Sequence, residues 1–282
     1  MEYNAAPMDH RKRISAFALS AALACAIVRA RAQVPPPAAP PAAPSAAPPA
    51  ADSARAGSRD TLAVAAAEEF PVTLGAFTTT LAGSRAERTD NVRLAAEALD
   101  GLVLAPGEVL SFNATVGPRT IERGYQAAPV ILHETRQLQT GGGVCQVAST
   151  VFAAGLLSGL SSVERWRHSS PVDYIALGED ATIAWGAKDM KLRNDLEQRV
   201  RLRVRVLGAT LSARFEGESA APGAYELATD ERELPPDPGV EDARPGREVD
   251  LYRVRLGARG DESREFVHRD VYPPSRGRRE EP

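Results

Sequence analysis

The chain has 282 residues, 43% of them hydrophobic and 25% charged, with a formal net charge of -3 and a pI near 5.9. That length allows one sizeable core with a smaller appendage once the N-terminal stretch is set aside. The mild acidity and interspersed charges supply no basic stripe of the kind that holds nucleic acid, so no nucleic-acid partner is expected.

Arg11-Lys12-Arg13 precedes a mostly apolar run from Ile14 to Val28, and Ala30-Arg31-Ala32 gives a small-x-small pattern before Gln33. This is the order of a secretory signal peptide over residues 1–32, and the run is short for a membrane span. Two other readings stay open: an uncleaved anchor, and a lipoprotein modified at Cys25 within Ala22-Leu23-Ala24-Cys25. All three send the rest of the chain out of the cytoplasm, to the periplasm or cell envelope. Membrane contact is expected only if the signal stays uncleaved or Cys25 is lipidated. Residues 33–58 are nearly all Pro, Ala and Ser, which cannot bury a core and read as a semi-extended tether.

The folded region is expected over residues 68–216. Phe70 to Leu81, rich in Val, Thr and Phe, reads as a strand. Asp90, or Thr89 before it, can cap a helix through Leu99, with Val92, Leu94, Ala95 and Leu99 on one face. Pro106-Gly107 turns the chain into a short strand, Val109 to Phe112, followed by a loop from Asn113 to Pro118. Pro129 to Leu132 is another strand. Three glycines then lead into a helix from Cys145 to Leu157, whose Ala148, Val151, Phe152 and Leu156 fall at helical spacing. Val163 to His168, Thr182 to Trp185, Met190 to Arg193 and Val200 to Leu207 carry strand patterns. Residues 217–247 read as a linker rich in Pro, Asp and Glu, 248–273 as a C-terminal β extension, and 274–282 as a disordered tail. The fold class implied is α+β: a mostly antiparallel sheet packed against a few helices.

Cleavage of the signal peptide would remove Cys25 and leave Cys145 as the one cysteine of the mature chain. A lone thiol outside the cytoplasm invites oxidation, so its persistence asks for a reason. It is either a small buried hydrophobe or a nucleophile. Its position favours the second. Cys145 stands where a glycine-rich turn enters a helix, and the first-turn N–H groups and macrodipole favour a thiolate. Gly141, Gly142 and Gly143 permit unusual dihedrals and close approach of a ligand, and neighbouring N–H groups, with Gln146, would hold an oxyanion. A phosphate-binding loop is excluded by the missing Lys-Ser/Thr ending.

A thiol nucleophile needs a base and the base an orienting group. His168 closes the first strand after the helix, and Asp180 precedes the next, so Cys145, His168 and Asp180 form a candidate triad. His133 competes as base or as a groove residue, and Asp173 or Glu179 as orienter. Asp189 and the pair Arg193-Asn194 suit a substrate carboxylate or strand capping. No tight His-x-His or Cys-x-x-Cys spacing points to a metal, and no cofactor is expected.

Across these residues the chain resembles the VanW family. The matching stretches begin with Gly107 to Asn113, Val116 to Thr120, and Gly124-Tyr125 with Ala128 to Ile131. They continue through Gly141 to Thr150, His168-Ser169, Gly178 to Gly186 and Asp189 to Asn194. The resemblance implies a bacterial cell-wall setting, with peptidoglycan or wall peptides as partners and envelope proteins as the alternative, and an association with vancomycin resistance. It implies no established reaction. The cysteine motif is also similar, by fold analogy only, to thiol enzymes of the transglutaminase and NlpC types. Two functions stand against each other: thiol acyl transfer or amide hydrolysis on peptidoglycan, and a non-catalytic module that binds wall peptides or envelope proteins.

Overall fold

A computed structural model describes residues 69–274 apart from 133–134, 222, 237, 239–242 and 257–261. The expected signal peptide, the tether, Cys25, His133 and the tail from 275 lie outside the described residues. Among the described residues no helix is long and apolar enough to cross a membrane.

The fold is α+β, and every strand pairing is antiparallel. Strand β1 (Val72–Thr80) pairs with β9 (Thr210–Gly217), β9 with β8 (Val200–Leu207), and β8 with the short β2 (Val103–Leu104). On β8 and β9, Leu202 faces Phe215 and Val204 faces Ala213 in register, and all four are buried. The alternate residues serve the opposite face, where Arg201 meets Glu216 at 2.6 Å. This alternation is what sets the register of a half-buried sheet.

Two helices lie on the apolar face. Helix α1 (Ala86–Leu99) buries Val92, Ala95, Ala96 and Leu99. It begins earlier than a cap at Thr89 or Asp90 would require. Its N-cap is Arg85, without a side-chain cap, and Glu87 in the first turn complements the helix dipole instead. Helix α3 (Val144–Leu157) is buried on every side, from Gln146 through Leu156, as befits a helix at the centre of a core. Between them, the stretch expected as a loop after Val109 to Phe112 contains a short helix, α2 (Phe112–Val116). Ser111 Oγ caps it by accepting from the Ala114 N–H at 3.0 Å, so β3 (Val109–Ser111) stops one residue early. The hairpin β4 (Ala127–Leu132) and β5 (Thr135–Thr140) leads into the glycine turn.

A second small sheet orders β3, β7 (Lys191–Arg193) and β6 (Ser161–Glu164). Two expected strands are shorter than their patterns suggested. Pairing in this sheet ends at Glu164; beyond it the Trp166 carbonyl accepts from the Thr182 N–H at 2.6 Å and the His168 N–H donates to Asp180 at 2.7 Å. Thr182 to Trp185 keeps a single bridge, Ala184 to Lys188, and is otherwise loop.

The expected linker over 217–247 is corrected by the structure. Ala224–Leu234 forms an eleven-residue strand, β10, in unbroken register with β11 (Gly246–Leu256), which pairs in turn with β12 (Glu262–Tyr272). The charges that made this segment look like linker are paired across the strands, Arg232 with Glu248 and Arg247 with Glu231, each at 2.8 Å. The sheet packs back onto the rest of the fold. Leu251 joins the main core, and Arg253 donates to the Leu160 carbonyl at 2.7 Å.

Candidate functional site

Cys145 is the second residue of α3, after a turn whose three glycines meet two different demands. Gly141 and Gly143 have φ of 83° and 102°, a region that side chains avoid. Gly142 is needed for space: a Cβ there would sit 2.5 Å from the Ala128 carbonyl oxygen on β4. Buried Asn91 of α1 locks the turn, donating to the Gly142 and Gln126 carbonyls at 3.0 and 2.9 Å and accepting from the Gln126 N–H at 2.8 Å. Gly142→Ala is therefore expected to lower stability by about 1–3 kcal/mol through overpacking alone. Urea denaturation checks this; an unchanged midpoint would mean that β4 gives way freely.

One helical turn on, Ser149 ties α3 to the segment that carries Asp180. Its hydroxyl accepts from the Ala181 N–H at 2.9 Å and lies 2.9 Å from the Cys145 carbonyl. The structure brings Cys145, His168 and Asp180 together. Asp180 Oδ2 accepts from both the His168 backbone N–H, at 2.7 Å, and the ring Nδ1, at 2.5 Å. With Nδ1 engaged, Nε2 is the ring nitrogen left for the Cys145 thiol, and the two groups lie close enough to shift each other's pKa. The thiol is also 3.7 Å from the Ile183 carbonyl. Tyr174 stands edge-on to the imidazole at 6.3 Å between ring centres and restrains its tilt.

Burial opposes charge on the imidazole, yet the bonds to Asp180 and Cys145 outweigh it and push the His168 pKa up to about 9. Burial likewise works against a thiolate, but the hydrogen bond and charge of His168 bring the Cys145 pKa below its ordinary value. Asp180 follows the same logic: burial is outweighed by His168 and Arg165, and its carboxyl stays below the usual range. All three shifts favour a thiolate–imidazolium pair next to a carboxylate.

Behind Asp180 lies a layer that the sequence did not announce. Asp180 Oδ1 accepts from Arg165 Nη2 at 2.8 Å and from the Tyr272 hydroxyl at 3.2 Å. Arg165, with a side chain only 5% exposed, also donates to both oxygens of Asp270 at 2.6 Å and to the Asp180 carbonyl. His268 Nε2 donates to the Gly178 carbonyl at 2.9 Å. Tyr272, Asp270 and His268 all come from β12. No motif spacing links them to Asp180; only the return of the C-terminal sheet does.

The other expected site residues fare differently. Gln146 is buried and its amide is fully engaged, donating to Thr79 Oγ1 and the Thr80 carbonyl at 2.9 and 2.8 Å and accepting from Arg88 at 2.9 Å. It fastens α3 to β1 and has no donor left for an oxyanion. Arg193 sits exposed on β7 in an ion pair with Asp195. Asn194 is buried, holding the Leu104 and Gln198 carbonyls, and Asp189 serves Ser111 and the Asn113 N–H. Of the alternative orienters, Asp173 is exposed, and burial raises the carboxyl pKa of Glu179. Among the described residues no group of three or more His, Cys, Asp or Glu side chains is arranged to hold a metal ion.

Residues 87–215 match the family described as VanW like protein. The chain is 38% identical over 138 residues to the uncharacterized protein YoaR of Bacillus subtilis (strain 168), which is 49% of this chain and 46% of that one. It is 32% identical over 112 residues to the vancomycin B-type resistance protein VanW of Enterococcus faecalis (strain ATCC 700802 / V583), 38% of this chain and 41% of the relative. The chain thus spans under half the length of each of these relatives. No solved structure matches.

Proposed function

We propose that this chain, a member of the VanW family through residues 87–215, is an exported cell-envelope protein that performs thiol acyl transfer on peptidoglycan peptides. The observation that supports the reading is the unbroken relay from Cys145 through His168 to Asp180, with charges on all three favoured by their surroundings. The envelope setting rests on the signal-like N-terminus and on the resistance role printed for the Enterococcus relative.

In this mechanism the Cys145 thiolate attacks a peptide amide carbonyl, forming the carbon–sulfur bond. The amide C–N bond breaks as the His168 imidazolium gives its proton to the departing amine. Water or an acceptor amine then attacks the thioester and gives its proton to His168; the carbon–sulfur bond breaks, releasing the acid or the new amide and restoring the thiolate–imidazolium pair. Asp180 holds the ring with Nδ1 inward and stabilises its charged form. The N–H of Cys145, in the first turn and so without an intrahelical acceptor, faces the developing oxyanion.

The test is turnover of labelled peptidoglycan fragments by the purified protein and by Cys145→Ala. Loss of about 10³-fold or more in the variant, with binding retained, is expected for a triad nucleophile. Equal behaviour of the two proteins in both assays would instead mark a module that only binds wall peptides.

A further inference from the structure

Two arginines lie against opposite sides of the glycine turn that presents Cys145. Arg119 packs its Cβ on Gly141, where an added methyl would come within 2.8 Å, and Arg88 packs its Cγ on Gly143 at 2.9 Å by the same measure. Both side chains are half-buried. Arg88 reaches Gln146 Oε1, and Arg119 reaches Asn113 Oδ1 and the Gly117 carbonyl at 2.7 and 2.8 Å. These acceptors are all neutral. Neither guanidinium forms an ion pair among the described residues, in contrast to Arg165, Arg201, Arg203, Arg214 and Arg253. The carboxylates within electrostatic range, Asp173 for Arg88 and Asp189 for Arg119, stay outside ion-pair distance, and Asp189 is spent on its own loop. Two like charges are thus held beside the thiol without carboxylate partners, at a cost in desolvation that burial imposes on each.

The surroundings suit a ligand. Arg119 Cζ lies 5.9 Å from the ring of Trp185, which is 55% exposed, and Trp185 follows by two residues the Ile183 carbonyl that contacts the Cys145 sulfur. A planar cation beside an open aromatic face is a platform for a peptide end.

We infer that Arg88 and Arg119 form a carboxylate-binding site beside Cys145, selecting peptides that carry a free carboxylate next to the amide to be broken. The inference rests on the acyl-transfer reading and narrows its substrate class. Arginine suits this task because its forked donors match the two carboxylate oxygens.

Two alkylating agents of similar size separate this claim from the thiol reading. Iodoacetate carries the carboxylate and iodoacetamide is its neutral counterpart; in both, the thiolate displaces iodide. The protein is expected to react with iodoacetate faster than with iodoacetamide at pH 7, with saturation, against the reverse order in a small free thiol. Arg119→Gln and Arg88→Gln should each lower the ratio of the two rates by about tenfold, the worth of one charge-assisted hydrogen bond. In the unaltered protein, N-acetylalanine should slow alkylation and N-acetylalaninamide should not, a comparison that needs no variant. Equal protection by acid and amide, or an equal slowing of both agents in the variants, overturns the carboxylate site while leaving an activated thiol. An iodoacetamide rate no greater than that of the unfolded chain overturns the thiol reading itself, and the subsite with it.

Discussion

His168→Ala is expected to slow alkylation of Cys145 by iodoacetamide at pH 7 by about 10²-fold. The size follows from what remains when the imidazole leaves. Burial alone raises the thiol pKa, and it is His168 that reverses this. A thiol titrating near its ordinary value of 9.0 is about one part in a hundred thiolate at pH 7. The signs give a distinctive profile. In the unaltered protein the thiolate forms above the lowered Cys145 pKa, and the imidazolium persists until the pH rises through about 9. Reactivity should therefore reach its plateau at a lower pH than that of an ordinary thiol. In the variant it should climb steadily with pH, and the gap should close above the ordinary thiol range. Stopped-flow or mass-spectrometric alkylation across pH checks this, and superimposable profiles would refute any coupling between the two residues.

Asp180→Asn should cost more than chemistry. Asp180 is 2% exposed and receives four donors: the His168 N–H, the His168 ring, Arg165 and Tyr272. An amide has one acceptor atom, and its NH₂ would point at two of these donors. Arg165 would keep Asp270 but lose the carboxylate on its other side. Breaking one partner of a buried charge network typically costs about 3 kcal/mol or more, which urea denaturation would read. The same change should cut turnover by about 10⁴-fold, because the ring loses its tautomer and its counter-charge. Should the variant fail to fold, Tyr272→Phe isolates the smaller part. It removes one hydroxyl donor and keeps the ring, so stability should fall by about 1 kcal/mol. A wild-type midpoint in both variants would show that the network is slack.

The sequence made some of this legible for clear physical reasons. The Cys145 helix stood out because apolar spacing and a glycine turn coincide there, and Val200 to Leu207 because period-two alternation is unbroken. Strand β9 was missed although it sits between β1 and β8. Its Leu211, Ala213 and Phe215 alternate with Ser212, Arg214 and Glu216, which serve the face where Arg201 lies, so the period-two pattern is present in the sequence. Strand β10 was taken for linker on composition, since its charges are satisfied by β11 and β12, far away in sequence. Cys145, His168 and Asp180 could be named because each falls at an element boundary. Arg165, Asp270 and Tyr272 could not, since long-range pairing leaves no local periodicity. Nothing in the sequence singles out Arg88, and Arg119 stands only within the Val116 to Thr120 stretch. What distinguishes them is their neutral acceptors, a property of the folded chain.

The hydrogen bond from Tyr272 to Asp180 spans 92 positions, and the Arg165–Asp270 bridge 105. During synthesis, Cys145, His168 and Asp180 all leave the ribosome well before β12 exists. Until that strand has paired, Asp180 lacks one donor and Arg165 one counter-ion. Support for the thiol is therefore non-local: a product truncated before β12 would leave Asp180 without Tyr272 and Arg165 without Asp270.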